Sequence, residues 1–162
     1  MTTTAPTALT APTAPTAPTA PTVPIAPNTP TDSPDRLAAL LITFLETGTP
    51  PAGLFHPEVF CDLTLPSWRL QSRGVDGLVA LRRNSHPAPG TVARHRLDRT
   101  GSGFVLEVEE RWEQDGAGWY CRELLRADVR GGTVAAVSVY CTGDWDAEQQ
   151  RRHRAEVTLL VP

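Results

Sequence analysis

No lysine occurs anywhere in the 162 residues; all 15 basic side chains are arginine. Schiff-base chemistry and a lysine general base are thereby excluded, and the bias reads as the codon usage of a GC-rich genome. Cysteine is scarce too. Cys61, Cys121 and Cys141, odd in number and far apart, make no disulfide framework and fit a reducing cytoplasm. No apolar run is long enough to cross a bilayer, so no membrane partner is expected. The net charge of −3, without a basic cluster, argues against nucleic acid as a partner, because phosphate binding needs a concentrated positive stripe. What remains, 40% hydrophobic and 20% charged, suits one ordinary globular domain.

Proline is plentiful, and its placement divides the chain. Residues 1–33 are a decaying Ala-Pro-Thr repeat. Proline at every third position removes backbone donors and excludes helix, so this segment is expected to be an extended, disordered arm. It lacks the basic start and apolar block of a signal peptide. The folded domain is expected over residues 34–162.

Ser33-Pro34 has the chemistry of a helix start, and Leu37, Leu40, Leu41, Phe44 and Leu45 give that helix an apolar stripe ending at Gly48. A turn over 52–55 precedes a strand from Val59 to Leu65. Residues 67–73, with Trp68, read as a loop. Gly74 to Ser85 reads as a helix with Val75, Leu78, Val79 and Leu81 inward and Arg82 and Arg83 outward; His86 reads as a solvent-facing helix-end residue. A strand follows over Val92 to Arg99. Near the end, Asp146 opens a short helix to Arg154, and Val157 to Val161 is expected to pack or pair.

The stretch from Phe104 to Cys141 reads as three strands joined by glycine turns. Phe104, Leu106, Val108, Glu110 and Trp112 share one face, so Glu110 intrudes on an apolar side. A two-residue loop at Gly116-Ala117 would set Trp112 opposite Cys121, Glu110 opposite Glu123 and Val108 opposite Leu125. It would also set Glu107 against Arg126 and Arg111 against Arg122 on the wet face. A three-residue loop at Arg130-Gly131-Gly132 places Val137, Val139 and Cys141 on the inner face. Two ionised carboxylates cannot share an apolar site cheaply, so a raised pKa or a partner is expected at Glu110 and Glu123. A slip of one residue would send one of them to water instead. The strand turn at Ser102 sets His95 opposite Val108, either as a proton-transfer partner of Glu110 or as a tucked structural histidine. A metal reading of His95, Cys121, Cys141 and the glutamates lacks any closely spaced ligand pair, so neither metal nor cofactor is expected.

The order of helix, short helix, strand, helix and antiparallel strands resembles the nuclear-transport-factor-2-like superfamily and its SnoaL-like members. Leu54-Phe55-His56-Pro57-Glu58-Val59, Gly74-Val75-Asp76-Gly77-Leu78 and Arg130-Gly131-Gly132-Thr133-Val134 carry the likeness. It implies an α+β cone: a curved antiparallel sheet wrapped around helices, enclosing an apolar pocket, often in a homodimer. The resemblance places Glu123 where ketosteroid isomerase has the protonated acid of its oxyanion hole, and Cys141 where it has a pocket aromatic. The isomerase base falls at Leu65, so that mechanism is not expected. The expectation is therefore a cytoplasmic enzyme of bacterial secondary metabolism, such as a polyketide cyclase, isomerase, dehydratase or hydrolase, acting on an apolar oxygenated molecule. Glu123 would donate, Glu110 act as base and His95 shuttle protons, with Trp68, Trp112, Cys121, Cys141, Leu65 and Val139 lining the pocket. A non-catalytic ligand carrier or dimeric accessory protein is the alternative.

Overall fold

A computed structural model describes residues 33–86 and 89–160 of the chain, so the Ala-Pro-Thr arm lies outside the described residues except for Ser33. The first helix, α1 (Pro34–Thr47), begins as its sequence dictates. The Ser33 hydroxyl accepts from the Arg36 amide, Pro34 occupies the first turn, and Gly48 closes the helix with φ of 65°. Its stripe of Leu37, Ala38, Leu41, Phe44 and Leu45 is buried.

Six strands follow, interrupted by α2 (Gly74–Ser85): β1 (Phe55–Thr64), β2 (Arg69–Arg73), β3 (Gly90–Arg99), β4 (Gly103–Gln114), β5 (Ala117–Arg130) and β6 (Thr133–Cys141); α3 (Ala147–Glu156) ends the domain. They form one curved, unclosed sheet in the order β2-β1-β6-β5-β4-β3. Every neighbouring pair is antiparallel except β1 with β6. The inward residues of β1, β4, β5 and β6, among them Val59, Leu63, Phe104, Leu106, Leu125, Ala127 and Val137, form one core with α1 and Leu78 of α2. This is the expected α+β cone, and none of the helices among the described residues is long and apolar enough to cross a membrane.

The structure differs from the sequence reading in several places. Residues 69–73 are a strand, not a loop. Arg-Leu-Gln-Ser-Arg has no apolar alternation because β2 is a largely exposed edge, held by its ladder to β1 and by Arg69 reaching Asp62 with its Nε at 3.0 Å. The β4–β5 turn is centred one residue earlier than expected. Asp115 and Gly116, at φ of 53° and 74°, occupy the two central positions of a hairpin that pairs Gln114 with Ala117. Glu110 therefore lies opposite Cys121, Val108 opposite Glu123 and Trp112 opposite Trp119, each two residues from the expected partner. On the outer face Glu107 opposes Leu124 and Arg111 opposes Tyr120. Because side chains alternate with period two, that shift leaves every residue on its expected face.

The β5–β6 turn has two central residues, Gly131 and Gly132, and the extra residue is absorbed by a bulge at Asp128–Val129. The inner face comes out as expected, with Cys141 opposite Glu123, Val139 opposite Leu125 and Val137 opposite Ala127. Finally, Val157, Leu159 and Leu160 are exposed and add no strand among the described residues.

Candidate active site

Between α1, α2 and the concave sheet lies a cavity of about 50 Å³. Leu41, Phe44, Leu63, Leu65, Leu125 and Val139 make most of its wall apolar, and Arg82, Ser85 and Glu123 give it a polar end. Glu123 is 5% exposed, and its carboxyl makes no hydrogen bond among the described residues. Burial, then the neighbouring Cys141, push its pKa up to about 8 against the opposing pull of His86. A neutral carboxylic acid therefore faces the cavity at neutral pH.

Behind Glu123 sits a buried polar nest. Arg82, on the inward side of α2, forms an ion pair with Glu110 through both terminal guanidinium nitrogens, Nη1 lying 3.1 Å from Oε2. Its Nη2 also donates to the Leu45 carbonyl of α1. Burial opposes ionisation of Glu110, but His86 and Arg82 outweigh it and hold the carboxyl below its usual range. His86, the C-cap of α2, follows one turn after Arg82. Its Nδ1 lies 3.4 Å from Glu110 Oε2 and beside Arg82 Nη1, and its Nε2 lies 3.0 Å from Asp144 Oδ1. Burial disfavours its charge, yet bonds with Asp144, Cys141 and Glu110 win, raising the imidazole to about 11. The end of α2 adds a favourable dipole for such a cation.

Trp112 lies over the His86 ring at a centroid distance of 4.5 Å, and with Cys121 and Cys141 it forms a small cluster that Leu65 and Trp119 complete. Cys141 is held as the acidic thiol of the pair. A bond from Cys121 outweighs burial, His86 and the Gly143 amide assist, and the thiol is lowered to about 5 while Cys121 is raised. The Gly143 N–H lies 3.4 Å from Cys141 Sγ. A larger groove of about 630 Å³, between the outer sheet face and α3, is bordered by Arg94, Arg111, Tyr120 and Trp145 and is separate from this nest.

No protein-family profile matches the chain, and no curated protein does. Solved structures do. An NTF2-like protein from Anabaena variabilis superposes with a TM-score of 0.57 at 14% identity, covering 68% of this chain and 87% of that one. A provisionally named polyketide cyclase from Pseudomonas putida gives 0.53 at 14% identity, covering 73% and 95%. A protein from Catenulispora acidiphila with a ketosteroid isomerase-like fold, solved with trimethylamine, gives 0.50 at 10% identity, covering 65% and 85%. The chain has the nuclear-transport-factor-2-like fold. Within that fold the nest lies along the inner faces of β4, β5 and β6, next to the apolar cavity.

The structure brings Glu110 and Glu123 onto one buried face, but only Glu123 borders the cavity; Glu110 is turned to Arg82. Leu65 and Val139 line the cavity, while Trp112, Cys121 and Cys141 belong to the nest. Trp68 is 69% exposed on the β1–β2 turn and lines no part of the cavity, because the reversal at Pro66 carries it past the sheet edge. His95 pairs with Val108 as expected, yet it stands on the edge strand β3 beyond a bulge at Val92–Arg94, where its ring is exposed. The histidine at Glu110 is His86, and the inward arginine is Arg82, both opposite to their sequence reading. A signal for them exists. Leu78, Arg82 and His86 recur every four residues, so one α2 face that begins with a buried leucine continues into both.

Proposed function

We propose that this chain binds a small, mostly apolar, oxygenated molecule in the cone and acts on it by general acid catalysis from Glu123. The observation that carries this reading is an unpartnered, buried carboxyl group in the wall of an otherwise apolar cavity. Ionised, it would be costly there; neutral, it is a hydrogen-bond donor without an acceptor, suited to a carbonyl oxygen or to an oxyanion developing on it. Glu110 is a poor candidate for the base, since its charge is already committed to Arg82 and His86. Its role in this reading is to hold those two side chains in place. A polyketide cyclase, isomerase or dehydratase of bacterial secondary metabolism is the class that fits such a site.

A specific observation favours a second reading, a non-catalytic ligand carrier. At about 50 Å³ the cavity is well below the several hundred Å³ of typical ligand pockets, so any ligand must be small or must part α1 from the sheet. Both readings are tested by screening small cyclic ketones and enones by ligand-observed NMR against the parent and Glu123→Gln. Binding lost in the variant supports Glu123 as donor, and turnover of a bound compound selects the enzyme. Equal binding by both proteins would remove Glu123 from the site.

A further inference from the structure

We infer that His86, Cys121, Glu123 and Cys141 form a binding site for one Zn²⁺ ion. The inference rests on side-chain geometry and not on the acid-catalysis reading. One donor atom from each of these residues can be chosen so that all lie within 4.8 Å of one another. A zinc tetrahedron with Zn–S near 2.3 Å and Zn–N or Zn–O near 2.1 Å has edges of about 3.4–3.8 Å. The four groups thus stand about one ångström outside coordination distance, a gap that small side-chain rotations close. Two thiolates, an imidazole and a carboxylate are a donor set that selects zinc over the hard cations magnesium and calcium.

Three further features point to a cation. Glu123 is 5% exposed, borders the cavity, and has no hydrogen-bond partner among the described residues, so its carboxyl is open to a ligand. His86 Nδ1 is met by Arg82 Nη1, with Glu110 Oε2 3.4 Å away, so the buried Arg82–Glu110 pair holds the ring in place with its Nε2 edge toward the sulfurs. Its Nε2 lies 4.0 Å from Cys121 Sγ. The Gly143 amide faces Cys141 Sγ, as amides do around metal-bound thiolates. Asp144, which lies 3.0 Å from His86 Nε2, has a side chain 35% exposed and can swing to solvent when the ion enters.

The ligands come from the end of α2 and from two adjacent strands, so no short sequence motif announces them. Positions on paired strands are well suited to holding a metal, because the ladder fixes the spacing of their Cβ atoms. With zinc bound, Glu123 is an ionised ligand and no longer a proton donor. Metal and a carbonyl ligand therefore exclude one another at this end of the cavity.

The test uses the full chain, reduced and stripped with EDTA, titrated with Co²⁺ as the spectroscopic probe and then with Zn²⁺. One equivalent of cobalt should develop tetrahedral visible bands and near-ultraviolet thiolate charge transfer, and zinc should abolish both. Cys121→Ser and Cys141→Ser should each weaken binding by about a hundredfold or more, while Cys61→Ser leaves it unchanged. If the serine variants fail to fold, zinc should still protect Cys141 of the parent from iodoacetamide, as read by peptide mass spectrometry. A folded parent with no charge-transfer band, a spectrum surviving both serine changes, or no protection by zinc would each overturn the site. Because none of these readouts involves turnover, a failure here is distinct from a failure of the carbonyl screen.

Discussion

Glu110 and Glu123 are diagonal neighbours on β4 and β5 and share one buried face, and their surroundings give them opposite protonation states. Glu110 has Arg82 and His86; Glu123 has an apolar wall and two sulfurs. Removing one partner of a buried ion pair leaves the other charge stranded, so Arg82→Met should destabilise the fold by about 3–5 kcal/mol, read by urea denaturation. Arg82→Met combined with Glu110→Leu should recover much of that loss. If the single variant matches the parent, the pair carries no structural weight. Glu123 should behave in the opposite sense. Its folded pKa, about 8, lies above its ordinary value of 4.5, so between these limits the folded state holds a proton that the unfolded state has released. Stability from this group is complete below about pH 4.5 and is lost as pH rises toward 8. In metal-free protein, Glu123→Gln removes that loss, and its advantage over the parent should grow by roughly 1.4 kcal/mol per pH unit across the window. A pH-independent difference would place the carboxylate in its charged form throughout. The two acids were legible in the sequence because each breaks an apolar alternation. The histidine and arginine that complete the nest lie on a helix, where charged residues look outward unless the face is followed into its C-cap.

At the scale of elements, the site depends on how the β6 end is turned. Gly143 lies two residues after Cys141, has φ of 84°, and a Cβ added there would meet Pro66 Cγ at 2.8 Å. Gly143→Ala is strained both by its backbone and by that contact, and it would move the amide off Cys141 Sγ. It should cost about 1–3 kcal/mol and shift the reactivity of Cys141 toward iodoacetamide. The control is Gly116→Ala, also at positive φ but with open space around its Cβ, which should cost stability without changing that reactivity. Equal reactivity in both variants would show that the Gly143 amide has no part in setting the thiol. The hairpins teach how far pattern reading reaches. Alternation assigned the inner face of β4, β5 and β6 correctly even though the first turn was misplaced, since the resulting shift was two residues. Cross-strand partners were out of reach because Asp115 takes a left-handed conformation that the Asp-Gly-Ala-Gly run equally allows its glycines.

At the scale of the whole molecule, the fold was legible from the order of elements, while the smallness of its cavity was not: that depends on how far α1 and α2 sink into the sheet. The outer face bears on the expected homodimer. Thr64, Tyr140, Leu124 and Glu107 lie in one row across β1, β6, β5 and β4, and Tyr140 and Leu124 are 56% and 41% exposed. Around them Arg122 pairs with Glu107 and Arg126 lies 3.8 Å from Asp128, so both signs of charge sit in one patch. A patch with an apolar centre and charges of both signs can meet its own copy across a twofold axis, where each arginine finds the other chain's acid. Sedimentation equilibrium of the full chain should therefore give twice the chain mass. Leu124→Glu with Tyr140→Glu should return it to the monomer without loss of the near-ultraviolet signal of the buried Trp112. Salt should weaken the dimer only modestly, because the apolar row and not the rim carries most of the association. A parent that sediments as a monomer, or a double variant that stays dimeric, would assign this face to solvent.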